Sequence, residues 1–466
     1  MATTTTTATT TKRYSRNEDN NEIASIQLEA SHSPPSGNVF PAIERWNHPK
    51  TNIYKTLATF WGFLVMGAND AAYGPLIPYL EQHYSLTYTI VSLVFLSPLG
   101  GYVLAALTNN HIHLRLGRRG VAIIAPSCHV LSYIINCLHP PYPVLVVSFI
   151  FAGFGNGLAD SGWNAWIGNM ADANQVLGLL HGFYGAGAVL APLVATALVT
   201  KAGVGWWYFY YIMIGCAVIE LLTSVYCFWE DTGAVFRRDT QHSTGGTGSG
   251  GGSLRKALFT KRAGRVTWLC SVFLLLYVGV EVALGGWIVT FMMRVRHGEP
   301  FASGMAATGF WLGITVGRVV LGFVTARVGE KLAISVRSPF NLLIMVHANA
   351  AQIYLVSSIA FGLILWLVPN FYVSTVAVSL QGFFLGPLFP AVVVVATKLL
   401  PRGLHVTAIG FAAAFGAGGG SVLPFAVGAI AQAKGVKVLQ PFAIGLLGAI
   451  MGLWMCLPRI PAQHET

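Results

Sequence analysis

Long apolar runs separated by short polar turns organise this chain. Stretches long enough for a tilted membrane helix of about 20 residues recur near 56–80, 88–107, 119–138, 143–170, 177–200 and 206–228. A second set lies near 264–293, 301–326, within 332–369, and near 371–397, 405–432 and 438–457. Between the sets, Glu230–Arg262 carries Arg237, Arg238 and the run STGGTGSGGGS, which reads as a flexible polar linker. The pattern predicts an all-α polytopic membrane protein with six helices on each side of that linker. Its segments are a tail at 1–50, an N-terminal half at 51–229, the linker at 230–262, a C-terminal half at 263–458 and a tail at 459–466.

One stretch disturbs the pattern. Lys331–Pro369 is too long for one span and uncomfortable for two, and two would place Lys398 and Arg402 on the wrong side. Without Val336–Gln352 (VRSPFNLLIMVHANAAQ), KLAIS joins IYLVSSIAFGLILWLVPN in a span of ordinary length. Val can begin with a GT donor, Ala348-Asn349 can encode CTAAC and Gln can end in AG. Residues 336–352 are therefore read as a translated, unspliced intron, with a re-entrant or interfacial insertion as the alternative.

The ends and charges fix an expected orientation. The first fifty residues are Thr-rich, polar and without an apolar signal region, so a disordered cytosolic tail is expected. Lys and Arg are more frequent in the loops that share a side with that tail, among them Lys55, Arg115, Arg118, Arg119, Arg255, Lys256, Lys398 and Arg402. The opposite loops carry few, such as Lys201, Arg294, Arg296, Lys434 and Lys437. Both termini are thus expected in the cytosol. The plasma membrane is the expected location and a vacuolar membrane the alternative.

Composition supports a membrane chain and removes other classes. The 466 residues are 54% hydrophobic and only 10% charged, against about 25% charged in soluble domains. The net charge of +11 is spread through short loops rather than pooled, so no nucleic-acid partner is implied. The six cysteines lie in or beside apolar runs without metal-ligand spacing and read as packing residues. There is no Walker lysine motif, HExxH or soluble Ser/His/Asp arrangement, so an enzyme, an ATP-driven pump and a resident cofactor are not expected.

Candidate chemistry sits inside the spans. Asp70, in FWGFLVMGANDAAYGPLIPYL, and Asp160, in VLVVSFIFAGFGNGLADSGWNAWIGNM, are carboxylates at membrane depth. Such a group costs roughly 3 kcal/mol or more and usually faces a water-filled cavity. There it can bind and release a proton during transport. Gly74, Pro75 and Pro78 are expected to interrupt the first helix beside Asp70. Asn156, Asp160 and Asn164 recur every fourth residue, giving one polar stripe on one helix face. Asn69, Asn156, Asn164, His181, Glu281, Trp287 and Gln381 are the candidate solute contacts, with Trp287 offering an aromatic surface and Gln381 a neutral polar group beside the Gly386-Pro387 break. Structural roles remain open for these residues: an interhelical bond or ion pair for the acids, and packing for His181. Arg318, with Arg327 and Lys331, echoes Arg118 and Arg119, suggesting an internal repeat and gating roles for Arg118, Arg119 and Arg318.

On these residues the sequence resembles the major facilitator superfamily over most of residues 50–460, specifically a fungal branch near the fucose–proton symporters. The resemblance rests on Asn69-Asp70 before Leu76-Ile77-Pro78, on Asp160 with Asn164 four residues on, and on YVGVEVALGGW and GFFLGPLFPA. The fourth-helix acid is usually Glu in that group and is Asp here. The loop NNHIHLRLGRRG is a shortened Gly–Asp–Arg motif without its acidic member.

The resemblance implies twelve helices in two halves, alternating access by rocking and proton-coupled sugar uptake. The expected function is proton symport of a small polar solute such as a monosaccharide, with Asp70 and Asp160 carrying the proton. The alternatives are a proton-driven exporter of small organic compounds and a non-transporting membrane nutrient sensor. The expected partners are solute, protons and the lipid bilayer, and the expected state is a monomer.

Overall fold

The computed structural model describes residues 44–171, 173–243, 250–335, 339–401 and 404–457. Among these residues the chain forms long helices in two sets of six spans. The first set is α1 (Thr51–Tyr84), α2 (Leu93–Leu116), α3 (Arg118–Cys137), α4 (Tyr142–Gly168), α5 (Ala173–Thr200) and α6 (Tyr208–Phe228). The second is α7 (Lys261–Val295), α8 (Pro300–Ser335), α9 (Pro339–Leu367), α10 with α11 (Phe371–Leu385 and Leu388–Leu399), α12 (His405–Lys434) and α13 (Leu439–Cys456). Ten spans meet the length and apolarity needed to cross a membrane, and Ala351–Leu367 adds a shorter apolar helix. The protein is an integral, multi-pass membrane protein.

The same packing scheme occurs twice. In the first half α1 packs on α5, α2 on α4, and α3 on α6. In the second, α7 packs on α12, α8 on α10, and α9 on α13. The two halves meet through α1 with α7, α5 with α8, and α2 with α12. Those meetings run from mid-depth towards the end that carries Tyr84, Thr200 and Val295. There Tyr88 N–H donates to Gln432 Oε1 at 2.9 Å, and Arg294 reaches Glu81 at 3.5 Å. The halves are therefore closed at this end.

Proline acts differently in two places. Contrary to expectation, α1 passes through Pro75 and Pro78 as one helix of 34 residues. The two prolines leave carbonyls without donors, which membrane helices tolerate when neighbours pack closely. Gly74 provides that closeness: a Cβ there would collide with the Gly285 carbonyl oxygen on α7. At Gly386-Pro387, by contrast, the helix does break, and Arg318 Nε donates to the freed Gly386 carbonyl at 3.3 Å.

The linker region carries two helices, Gly233–Ser243 and Gly250–Phe259, rather than loose chain throughout; residues 244–249 lie outside the described set. Of the questioned stretch Val336–Gln352, residues 336–338 also lie outside it, and the remainder opens α9. Only one span thus occupies 339–367. The tail through residue 43 and the C-terminal residues from 458 are likewise outside the described residues, as are the side chains of Arg327 and Lys331.

Candidate functional site

Asp70 is the hub of a polar cluster in the first half. Its Oδ1 accepts from Asn69 Nδ2 at 3.0 Å and from Asn156 Nδ2 at 3.2 Å. Its Oδ2 accepts from the Tyr184 hydroxyl at 3.0 Å. Asn69 Nδ2 also donates to the Tyr73 hydroxyl at 3.0 Å, which pins the amide along α1. Three helices, α1, α4 and α5, thus converge on one carboxylate. Tyr184 comes close because α5 lies against Gly67 of α1, where any Cβ would meet the Tyr184 backbone.

A second cluster lies one turn further along the α4 stripe. Asn164 Nδ2 donates to Asp160 Oδ1 at 2.8 Å, and His181 Nε2 lies 3.2 Å from Asn164 Oδ1. His181 also meets Phe63 edge-on, at 5.6 Å between ring centres. Asp70, Asp160, Asn164, His181 and Tyr184 are all partly exposed, whereas Asn69 and Asn156 are buried behind them.

In the second half, Arg318 on α8 grips Glu281 on α7. Its Nη2 lies 2.8 and 3.1 Å from the two carboxylate oxygens. The pair is held at 23% and 6% side-chain exposure. Expected as a gate and a solute contact respectively, these two residues are partners of each other. The helix that carries Arg318 packs on α5, which carries His181 and Tyr184: a Cβ on Gly185 would meet Thr315 of α8.

Two expected solute contacts do not join this group. Trp287 is fully buried: its indole N–H donates to the Pro424 carbonyl at 2.9 Å, and its ring packs on Tyr88 and Phe95. It seals the contact between halves and offers no open aromatic face here. Gln381 is also fully buried, pressed against Gly362 of α9 beside Ile444 of α13 within its own half. Neither end of its amide has a partner.

The acid missing from the loop between α2 and α3 comes from elsewhere in the chain. Asp231, just past α6, pairs with Lys55 at 2.7 Å and with Arg118 at 3.6 Å. Its carbonyl accepts the Arg119 backbone N–H at 3.0 Å. Arg119 places its guanidinium over Trp229, 5.0 Å from the ring centre. Gly117 allows the approach: its φ is +71°, and a Cβ there would collide with the Asp231 carbonyl. Arg237 adds a bond to the Leu114 carbonyl.

Several participants were missed in the sequence. Tyr73 and Tyr184 carry no charge to draw attention within apolar runs. Asp231 lies outside every span. Glu220, inside YYIMIGCAVIELLTSVYC, met the same criterion as Asp70 and could have been found by it.

The chain is similar in sequence and in fold to several known proteins. Bypass of stop codon protein 6 of Saccharomyces cerevisiae is 28% identical over 417 residues, covering 86% of this chain and 82% of that protein. A D-xylose–proton symporter structure superposes with TM-score 0.68 at 14% identity, covering 89% of this chain and 99% of that one. A structure of the E. coli fucose–proton symporter gives TM-score 0.55 at 15% identity, covering 87% and 98%. The family model for the Major Facilitator Superfamily matches residues 59–347. With its two six-helix halves packed by one repeated scheme, this chain belongs to the Major Facilitator Superfamily.

Proposed function

We propose that this chain moves a monosaccharide-sized polar solute together with protons, by alternating access between its two halves. One observation carries the reading. Among the described residues, neither Asp70 nor Asp160 forms an ion pair, whereas Glu281 pairs with Arg318 and Glu220 is held by the His129 ring. Asp70 is held by neutral donors alone, and Asp160 by Asn164 alone. A carboxylate so placed takes up a proton without breaking an ion pair, which makes it exchangeable at low cost.

The remaining roles follow from position. Asn164 and His181 border Asp160 and present hydrogen-bonding groups suited to sugar hydroxyls. Arg318 and Glu281 form the opposing wall. Closing the halves around solute neutralises the two aspartates, and opening to the other side releases solute and protons. Names of the xylose and fucose proton symporters support this class of solute and this coupling. The charge bias supports a reading with both termini in the cytosol and the closed Tyr84 end facing outward. A monomer in the plasma membrane completes the reading.

The test is sugar-induced proton movement in proteoliposomes, using a panel that includes D-xylose, L-fucose and D-glucose. Coupled proton movement is expected from the unmodified chain. Asp70→Asn and Asp160→Asn should each abolish it while leaving solute exchange measurable. Sugar uptake that persists unchanged with both aspartates replaced would remove the proton assignment.

A further inference from the structure

Behind Asp70 lies a second pair of ionisable side chains that the transport reading leaves unused. His129 on α3 and Glu220 on α6 have 0% and 2% side-chain exposure, with Nδ1 and Oε2 3.0 Å apart. Both sit in apolar helices, where an unpaired charge is costly. Glu220 also borders α1, since a Cβ on Gly62 would stand 3.1 Å from its Oε1.

The other nitrogen of His129 lies against α4 beside Gly155, the residue that precedes Asn156. A Cβ on Gly155 would stand 2.7 Å from His129 Nε2. Among the described residues, His129 Nε2 and Asn156 Oδ1 are both buried without a hydrogen-bond partner. The amide nitrogen of Asn156 is already committed to Asp70. Its oxygen is therefore the end available to His129. A neutral imidazole has one N–H and satisfies only one of two acceptors, whereas an imidazolium donates from both nitrogens.

We propose that His129 and Glu220 form a positioning pair for Asp70. His129 donates through Nδ1 to Glu220 and through Nε2 to Asn156, which fixes the Asn156 carboxamide with its N–H towards the Asp70 carboxylate. The pair joins α6, α3, α4 and α1 in one line of polar contacts ending at Asp70. This rests on the reading of Asp70 as the proton carrier. The other titratable groups around the pair are Tyr73 on α1, Tyr133 on α3, and Tyr210 and Cys216 on α6. Tyr and Cys stay neutral near pH 7; Asp70 itself is faced by Tyr73 on α1, Tyr102 on α2, Tyr184 on α5 and the carboxylate of Asp160 on α4.

The test follows the protonated-carboxyl infrared band of the reconstituted full chain as pH is varied, with no solute needed. The band absent in Asp70→Asn reports Asp70. Replacing one partner alone strands a buried charge, so both are changed together as His129→Leu with Glu220→Met, and only monodisperse protein is titrated. The Asp70 midpoint should rise by about one pH unit, a tenfold change, because the carboxylate form loses a held donor and a nearby positive ring. His129→Gln with Glu220→Gln keeps a donor towards Asn156 and should recover most of the shift. Histidine ¹⁵N spectra of the unmodified chain should show a ring protonated on both nitrogens that both double variants lack. A neutral ring, or a wild-type midpoint in the Leu/Met protein, overturns the positioning role alone. If no band is lost in Asp70→Asn, the proton-carrier reading itself fails.

Discussion

The Tyr184 hydroxyl donates to Oδ2 of Asp70 across the α5–α1 packing, at 3.0 Å. It is the bond to that carboxylate that comes from the helix packed on α8 of the other half. Movement of α5 against the other half therefore reaches Asp70 through Tyr184, whereas Asn156 lies on α4, which among the described residues is not one of the helices that join the halves. Tyr184→Phe should keep the fold, since only a hydroxyl is lost, at about 1 kcal/mol. Proton-coupled uptake should fall by about tenfold, as expected when a bond to a charged group is removed. Initial rates and thermal unfolding in detergent, measured together, check both halves of this expectation. A tenfold loss accompanied by a large drop in unfolding temperature would point to misfolding instead.

The Arg318–Glu281 pair should behave as a unit. Arg318→Met leaves Glu281 charged and buried, which costs about 3–5 kcal/mol. Adding Glu281→Met should recover most of that stability, because replacing both members of a buried pair by apolar groups is often nearly neutral. Transport should not recover, since the charged pair beside α5 is gone. Unfolding curves of the two single variants and the double variant give the coupling directly.

The architecture was legible because its signals are redundant. Each span repeats the same apolar length, and Gly–Pro breaks punctuate the loops, so errors of a few residues at each end do not alter the count. The site was legible only where charge stands out against lipid-facing sequence. Asp70 and Asp160 were visible in that way, Asn156 and Asn164 by their spacing of four residues from Asp160, and all four lie between α1, α4 and α5. What distance along the chain cannot reveal is the partner. Glu281 and Arg318 each looked solitary, and neither sequence context shows that α7 and α8 bring them to 2.8 Å. Trp287 misled for a related reason: an aromatic beside Gly285-Gly286 suits ligand stacking and helix crossing equally well, and the close approach of Gly74 decides for crossing.

Asp231 gathers Lys55, Arg118 and the backbone of Arg119 at the end opposite the closed contacts. The cluster ties the start of α1 to the α2–α3 turn and the end of α6, so it should keep the first half moving as one body. Its side chains are only slightly exposed, at 12–18%, which leaves the pair less screened than a surface salt bridge. Asp231→Asn should reduce stability by about 1 kcal/mol and slow transport more than it weakens solute affinity. Gly117→Ala should do more damage, since a side chain at φ +71° also meets the Asp231 carbonyl. Unfolding temperature and the split between KM and maximal rate distinguish the two variants.

Residues 336–352 supply the last prediction. The helix α8 runs 36 residues to Ser335, about 54 Å at 1.5 Å per residue, where the hydrocarbon core needs about 30 Å. α9 then opens with residues from the same stretch and runs 29 residues to Leu367. We propose that Val336–Gln352 is encoded by a retained intron. Sequencing of spliced transcripts should then show most messages joining Ser335 directly to Ile353. A chain lacking 336–352 should also accumulate better in membranes and unfold at a higher temperature, because the Lys331–Pro369 region becomes a single span without surplus. Transcripts that mostly keep those codons, together with a shortened chain that fails to fold, would establish the stretch as a working part of the protein.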